Sequence, residues 1–311
     1  MTASGVQRVA VVGTGVIGAS WAAHFLAHGL DVVATDPAPG ADERLRADVA
    51  AIWPTLAPVA GASLERLSFS ADAGEAAARA DFVQENGPER EQVKHDLYRV
   101  LDEAARPEVV LASSSSGLLP SAIARGCPWH PERVVIGHPF NPPHLIPLVE
   151  VVPGEKTAEG TVERALAFYT AIGKKPIRLR QELPGHVANR LQAALWQEAY
   201  SLVERGVATV ADIDTAIAHG PGLRWAVLGP FLNQHLSGGP GGIAHILEHL
   251  GPPTEAWWRD LGQVTLTPEL VAKLVAGVND ELAGVDPAEL VARRDTVLNA
   301  LLAAKTRADL P

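Results

Sequence analysis

The sequence is poor in cysteine and in positive charge, and it has no long apolar run. The single cysteine, Cys127, has no partner for an internal disulfide, so a reducing, cytoplasmic setting is expected. Lysine and arginine number 26 against 36 acidic residues, a net charge of −10. A surface of that sign makes nucleic acid and anionic membranes poor partners, and it is mildly compatible with a cationic substrate. No run of ~18 uninterrupted apolar residues occurs, so no membrane-spanning helix is expected. The opening MTASGVQRVAVVG lacks a basic stretch followed by a long apolar segment, which argues against a signal peptide. Internal repeats and low-complexity tracts are also missing.

What is present is an ordinary globular balance, 47% apolar and 20% charged over 311 residues. At roughly 150 residues per domain, that length suggests two domains. Residues 8–12, 31–35, 80–84, 109–112, 134–137 and 148–152 read as short apolar strands. Helical periodicity lies between several of them, over 16–28, near 41–52 and over 89–105. Such alternation predicts a mostly parallel sheet covered on both faces. The pattern changes at 181–186 (QELPGH). From there helices dominate, with apolar stripes over 187–204 and 269–282 and a last helix opening at Asp286-Pro287-Ala288-Glu289. Between these, 220–242 is rich in glycine and proline and reads as loop. The expected organisation is an α/β domain over 1–183 and an all-helical domain over 184–311.

Gly13-Thr14-Gly15-Val16-Ile17-Gly18 matches G-x-G-x-x-G, directly after the first strand and opening the first helix. The first glycine permits the tight turn, the second lets backbone approach a pyrophosphate, and the third lets helix and strand pack closely. The anion then meets free N–H groups at the positive end of the helix dipole. Asp36 ends the second strand, where a carboxylate accepts hydrogen bonds from ribose hydroxyls and repels a 2′-phosphate. Together these predict a doubly wound, Rossmann-type domain that binds NAD rather than NADP.

Hydride chemistry on such a domain needs a proton-transfer partner. His138 follows a strand, where open α/β sheets place their ligands, and histidine exchanges protons near neutral pH. Glu150 lies twelve residues on, among Leu148, Val149, Val151 and Val152. A carboxylate buried there needs a partner, and a histidine would have its tautomer fixed by it. Four serines, residues 113–116, end another strand. They read either as a flexible linker or as hydroxyls aimed into the ligand crevice. Asn189 falls on the first turns of the helical domain and reads equally as an exposed helix residue. His245, Glu248 and His249 fit H-x-x-E-H, a zinc-peptidase pattern. The surrounding pattern does not suit that fold, so a solvated helix face is expected and no metal.

These blocks together resemble the 3-hydroxyacyl-CoA dehydrogenase superfamily over nearly the whole chain. Within it they are most similar to the branch holding the L-carnitine dehydrogenases and lambda-crystallin (L-gulonate 3-dehydrogenase). The resemblance rests on VATDPAPGA at 33–41, DFVQENGPERE at 81–91 and ASSSSGLLPS at 112–121. It continues in GHPFNPPHLIPLVEVV at 137–152, PGHVANRLQAALWQEA at 184–199 and GPGLRWA at 220–226. It implies that His138 is the acid/base, that Glu150 orients it, that Ser116 binds the substrate oxygen and that Asn189 completes the site. It also implies cofactor contacts from Glu89, Lys94 and Asn141. The implied protein is a cytoplasmic homodimer that oxidises the 3-hydroxyl of a small 3-hydroxy acid with NAD. L-carnitine, giving 3-dehydrocarnitine, is the leading substrate, followed by L-gulonate or a similar acid, then a 3-hydroxyacyl-CoA. A crystallin-like structural role is the non-enzymatic alternative.

Asn189 stands where L-carnitine dehydrogenases often carry an aspartate, and His144 where the branch often has an aromatic. A trimethylammonium group needs aromatic or acidic neighbours, because it offers no N–H donor. Phe140, Trp196, Tyr200, Trp225 and Phe231 are candidates, with core or interface packing as the alternative. Arg224 could pair with a substrate carboxylate or cap a loop. The 54–70 stretch offers only Arg66 for the phosphates of a CoA, which favours a small, CoA-free substrate.

Overall fold

The computed structural model describes residues 5–310. The chain divides into two compact units, Met1–Arg190 and Leu191–Pro311.

The first unit is built on an eight-stranded sheet. Its strands are β1 (Arg8–Val12), β2 (Asp31–Thr35), β3 (Leu67–Phe69), β4 (Phe82–Glu85), β5 (Val110–Ser113), β6 (Val134–Pro139), β7 (Leu148–Pro153) and β8 (Lys175–Arg178). Their order is β3-β2-β1-β4-β5-β6-β7-β8, so the first strand sits between the second and the fourth. All neighbours pair in parallel except β6 and β7, which run antiparallel. Helices α1 (Val16–Ala27), α2 (Ala41–Ile52), α3 (Ala73–Ala78), α4 (Glu91–Ala104), α5 (Pro120–Ile123) and α6 (Glu159–Ala171) connect the strands.

The strands are apolar throughout because both faces of the sheet are covered. Along β1, Val9 and Val11 enter one core with Trp21, Phe25 and Phe168. Ala10 and Val12 enter the opposite core with Tyr98, Leu101 and Ile123. Two strands lie outside the sequence expectation. β3 has three residues, and β8 has the burial pattern exposed, intermediate, exposed, exposed. An edge strand with so little buried surface carries no hydrophobic signal.

The second unit is helical. It comprises α7 (Ala188–Glu204, whose first turn belongs to the first unit), α8 (Val210–His219), α9 (Pro221–Val227), α10 (Pro230–Ser237), α11 (Gly242–Asp260), α12 (Pro268–Glu281) and α13 (Pro287–Arg307). The expectation of loop over 220–242 is thus corrected, since α9 and α10 occupy most of it. Pro221 and Pro230 stand at the first helical position, where a missing N–H costs nothing. Asn233 donates to the carbonyls of Arg224, Leu228 and Gly229, joining the two helices. Apolar faces of this unit remain open, with Leu191, Val275 and Val297 all exposed. No helix among the described residues is long and apolar enough to cross a bilayer.

Candidate active site

The glycine turn has the form its chemistry requires. Gly13 adopts φ +86°, and a Cβ there would lie 2.9 Å from the backbone of Asn86 and Gly87. A Cβ on Gly18 would lie 1.9 Å from the Gly13 carbonyl oxygen. Both positions therefore need glycine for internal packing. Gly15 differs, because a Cβ there would meet nothing within 4 Å. Its bareness leaves open space over the start of α1, where no side chain caps the helix. Uncapped N–H groups beneath open space are what a pyrophosphate needs. Val16, at the same helix start, is 73% exposed. Thr14 donates both its backbone N–H and its hydroxyl to Asp36 Oδ2, while Ala38 N–H donates to Oδ1. The half-buried carboxylate is thus held at the end of β2 beside the turn. These residues fit a dinucleotide.

Glu89 and Lys94 have different surroundings. Glu89 Oε1 accepts from the Ser115 hydroxyl and from Gly117 N and Leu118 N. Burial raises its carboxyl, but these donors outweigh burial and hold it below the ordinary range. Lys94 is fully buried, and its ammonium spends its donors on Glu85 Oε1 (2.7 Å), Glu85 Oε2 (2.8 Å) and Gly87 O (3.0 Å). Its part is therefore to fix the β4–α4 turn that packs on Gly13. Direct cofactor contact would need donors it no longer has.

His138 and Glu150 meet because β6 and β7 are antiparallel and place them directly opposite each other. His138 Nδ1 lies 2.9 Å from Glu150 Oε2. Glu150 is 0% and His138 4% exposed. The carboxylate can only accept, so Nδ1 carries the proton, and in that tautomer Nε2 presents a lone pair. Ser116 Oγ stands 3.0 Å from that nitrogen, and its hydroxyl donates to it. The other Glu150 oxygen accepts from Val187 N (2.9 Å) and Ala188 N (3.0 Å). Burial raises the Glu150 carboxyl, yet the hydrogen bonds from His138, Ala188 and Val187 bring it below the ordinary range. Asn189 follows those two donors on the first turn of α7, with its side chain half-buried. The Phe140 ring lies 5.3 Å from His138, edge-on. The structure thus gathers Ser116, His138, Glu150 and Phe140, with Asn189 next to the turn that grips Glu150.

The loop 141–147 leaves this cluster with Asn141 exposed. His144 accepts and donates through Ser20 on α1, with Ser20 Oγ 2.9 Å from His144 N and 2.8 Å from Nδ1. Lys174 sits over the Trp21 ring and donates to the carbonyls of Pro143 and Ile146. Burial pushes its ammonium down to about 7. Sequence reasoning missed Lys174, and it also missed His186, which is fully buried with its ring centre 5.1 Å from that of His138. The signal for His186 was its place in PGH, two residues before Ala188.

Trp196, Arg224 and Trp225 belong to the helical unit. Trp196 lines a cavity of about 420 Å³ with Tyr200, Asp214 and Leu274. Arg224 and Trp225 are exposed on α9. The His245 and His249 rings lie tilted to each other on α11 with centres 4.0 Å apart, and His249 Nδ1 donates to the His245 carbonyl. No cluster of three or more His, Cys, Asp or Glu suited to a metal ion occurs among the described residues.

Residues 8–183 match the family described as 3-hydroxyacyl-CoA dehydrogenase, NAD binding domain. Residues 185–277 match its C-terminal domain. Among curated relatives, the L-carnitine dehydrogenase of Streptomyces coelicolor is 51% identical over 293 residues, covering 93% of this chain and 92% of that protein. The L-carnitine dehydrogenase of Pseudomonas putida is 46% identical over 304 residues, covering 96% and 94%. Among solved structures, the 5-formyl-3-hydroxy-2-methylpyridine 4-carboxylic acid 5-dehydrogenase, described as an NAD-dependent dismutase, superposes with a TM-score of 0.81. It is 31% identical, with coverage of 96% and 97%.

Proposed function

Because the chain belongs to the 3-hydroxyacyl-CoA dehydrogenase family, and is thus an NAD-dependent oxidoreductase, we propose that it oxidises the 3-hydroxyl of L-carnitine to 3-dehydrocarnitine. The observation that carries this reading is the complete Ser116–His138–Glu150 chain, with His138 and Glu150 buried, in a protein about half identical to several L-carnitine dehydrogenases. A crystallin-like structural role gives no reason to keep such a chain. Residues 1–183 bind NAD in this reading, and 184–311 shape the substrate pocket and pair two copies. The open apolar faces of α7, α12 and α13 suit such pairing. The unpaired Cys127 suits the cytoplasm.

Gly13 to Gly18 and the start of α1 would hold the pyrophosphate, Asp36 a ribose, and Asn141 the nicotinamide amide, with Glu89 bracing the serine turn. Bound NAD supplies the hydride acceptor. His138 Nε2 takes the hydroxyl proton, the role its Glu150-fixed tautomer allows. The Ser116 hydroxyl, which donates to Nε2 in the free site, turns to the substrate oxygen. Asn189 steadies the same oxygen with its amide. The Glu150 carboxylate offsets the charge of the imidazolium that forms.

Two further features favour carnitine over an acyl-CoA. Arg66, the lone base of the 54–70 stretch, is committed to Asp31 at 2.9 Å. Phe140 offers an aromatic ring beside His138 for a trimethylammonium group. The test is initial-rate kinetics with NAD on carnitine, gulonate, 3-hydroxybutyrate and 3-hydroxybutyryl-CoA. Carnitine should give the highest kcat/KM, and His138→Ala should lose most turnover while still binding NAD. A clear preference for the CoA ester, or near-normal turnover by the variant, overturns the reading.

A further inference from the structure

His186 is a buried titratable group beside the proton-transfer chain that the chain leaves unused. It stands at φ +52°, directly after Gly185 at φ +77°. Positive φ is uncommon for a residue with a Cβ. Two successive left-handed residues turn the chain so that the next two N–H groups, of Val187 and Ala188, reach Glu150 Oε1. The side chain goes the other way. Its Nε2 lies 3.1 Å from the carbonyl oxygen of Ser115, the residue before Ser116. A carbonyl can only accept, so Nε2 bears the proton. Nδ1 then holds a lone pair, and it is buried with no hydrogen-bond partner among the described residues. Burial, with the neighbouring His138, keeps the ring below the ordinary histidine range against the opposing pull of the Ser115 carbonyl.

An orphaned buried acceptor is costly. An apolar ring of similar size would fill the space without one. What the imidazole adds is a single donor at a single point, and that point is the backbone of the serine turn. We propose that His186 is a positioning residue, clamping the Ser115 carbonyl so that the Ser116 hydroxyl stays in register with His138 Nε2. One residue then serves both ends of the chain: its side chain fixes the serine, and the turn it completes delivers the donors that fix the glutamate. The proposal rests on the reading of Ser116, His138 and Glu150 as the proton-transfer chain.

The test compares the full-length wild type with His186→Phe and His186→Gln. Phenylalanine keeps bulk and loses the donor, whereas the glutamine amide can present an N–H near the position of Nε2. In His186→Phe, kcat on carnitine should fall about tenfold or more, as misplacement of a catalytic group does, while the Kd for NAD stays unchanged. His186→Gln should recover most of the loss. A purely space-filling role predicts the reverse order. Nitrogen-15 NMR of the ligand-free protein gives a readout independent of activity. The His138 Nε2 signal should move in His186→Phe and return in His186→Gln, and wild-type His186 should show a slowly exchanging Nε2-bound proton. A His138 signal indifferent to both substitutions, or a wild-type His186 protonated at Nδ1, overturns the proposal even if His186→Phe does not fold. Should the wild type oxidise no 3-hydroxy acid, the functional reading fails while the nitrogen signals still decide the clamp.

Discussion

Replacing Glu150 with glutamine tests the tautomer argument with almost no change of shape. The side chain is fully buried, and one oxygen accepts two backbone N–H groups, from Val187 and Ala188. The amide of a glutamine must turn its oxygen toward that pair, since its NH2 would set donors against donors. The NH2 then faces His138 Nδ1, 2.9 Å away in the native pairing. To meet a donor, Nδ1 must give up its proton, and the ring moves to the Nε2–H tautomer. Nε2 no longer offers a lone pair to a substrate hydroxyl. In serine proteases the corresponding carboxylate-to-amide change costs ~10⁴ in kcat. At about 1.36 kcal/mol per decade, a loss of ~10³ to 10⁴ here corresponds to roughly 4–5.5 kcal/mol of barrier. The assay is the initial rate of NADH formation, with NAD binding measured separately by fluorescence titration. Binding should be unchanged, and raising the pH should restore nothing, because the defect is a misplaced proton rather than an excess one. A kcat within about threefold of the wild type refutes the argument.

Three other outcomes follow from the charged groups and the single thiol. Lys94→Met leaves the Glu85 carboxylate, 0% exposed, without its cation, which should cost about 3–5 kcal/mol and lower the melting temperature; calorimetry showing a shift no larger than that of a surface substitution refutes the pairing. Glu89 and Glu150 both sit below the ordinary carboxylate range in the folded chain, so their stabilisation is complete above the unfolded value of about 4.3 and is lost as pH falls through the lower folded values. Urea midpoints should therefore hold steady down to about pH 5 and decline below about pH 4, and a midpoint unchanged to pH 3 contradicts the assignment. Burial, helped by Asp102, pushes the Cys127 thiol up to about 12, so iodoacetamide should label it only after denaturation; equal labelling rates in native buffer and in guanidinium refute its burial.

What the sequence disclosed follows the range of the interactions involved. The glycine turn was legible because strand end, glycines and helix start are contiguous. Glu150 stood out because a carboxylate among valines is expensive anywhere in a core. The antiparallel pairing of β6 with β7 was not legible, since nothing local to either strand states its direction. β3 and β8 escaped notice because edge strands bury too little to be patterned. The 220–242 stretch misled because proline and glycine also mark helix starts, as at Gly220-Pro221 and Gly229-Pro230. Lys94 took its expected role from resemblance, and only coordinates reveal that Glu85 and Gly87 consume its donors. The PGH block marks the position of His186, but its role stayed hidden because its partner, the Ser115 carbonyl, lies 71 positions away.

The pairing of His138 with Glu150 is enforced by the packing of the strand that carries the glutamate. Along β7, Val149 and Val151 enter the core shared with Trp21 and Phe168, while Val152 enters the opposite core with Tyr98 and Ile123. Glu150 shares the face of Val152, and on β6 His138 shares the face of Val134 and Ile136. A slip of one residue would exchange the faces of every side chain on β7. It would thrust the carboxylate into the core on the far side, away from His138, and leave the imidazole opposite a valine. The hydrophobic alternation around Glu150 is therefore what excludes the wrong register. The same apolar neighbours, Leu148, Val149, Val151 and Val152, that make the carboxylate costly to bury also guarantee that the partner able to offset that cost is the one facing it.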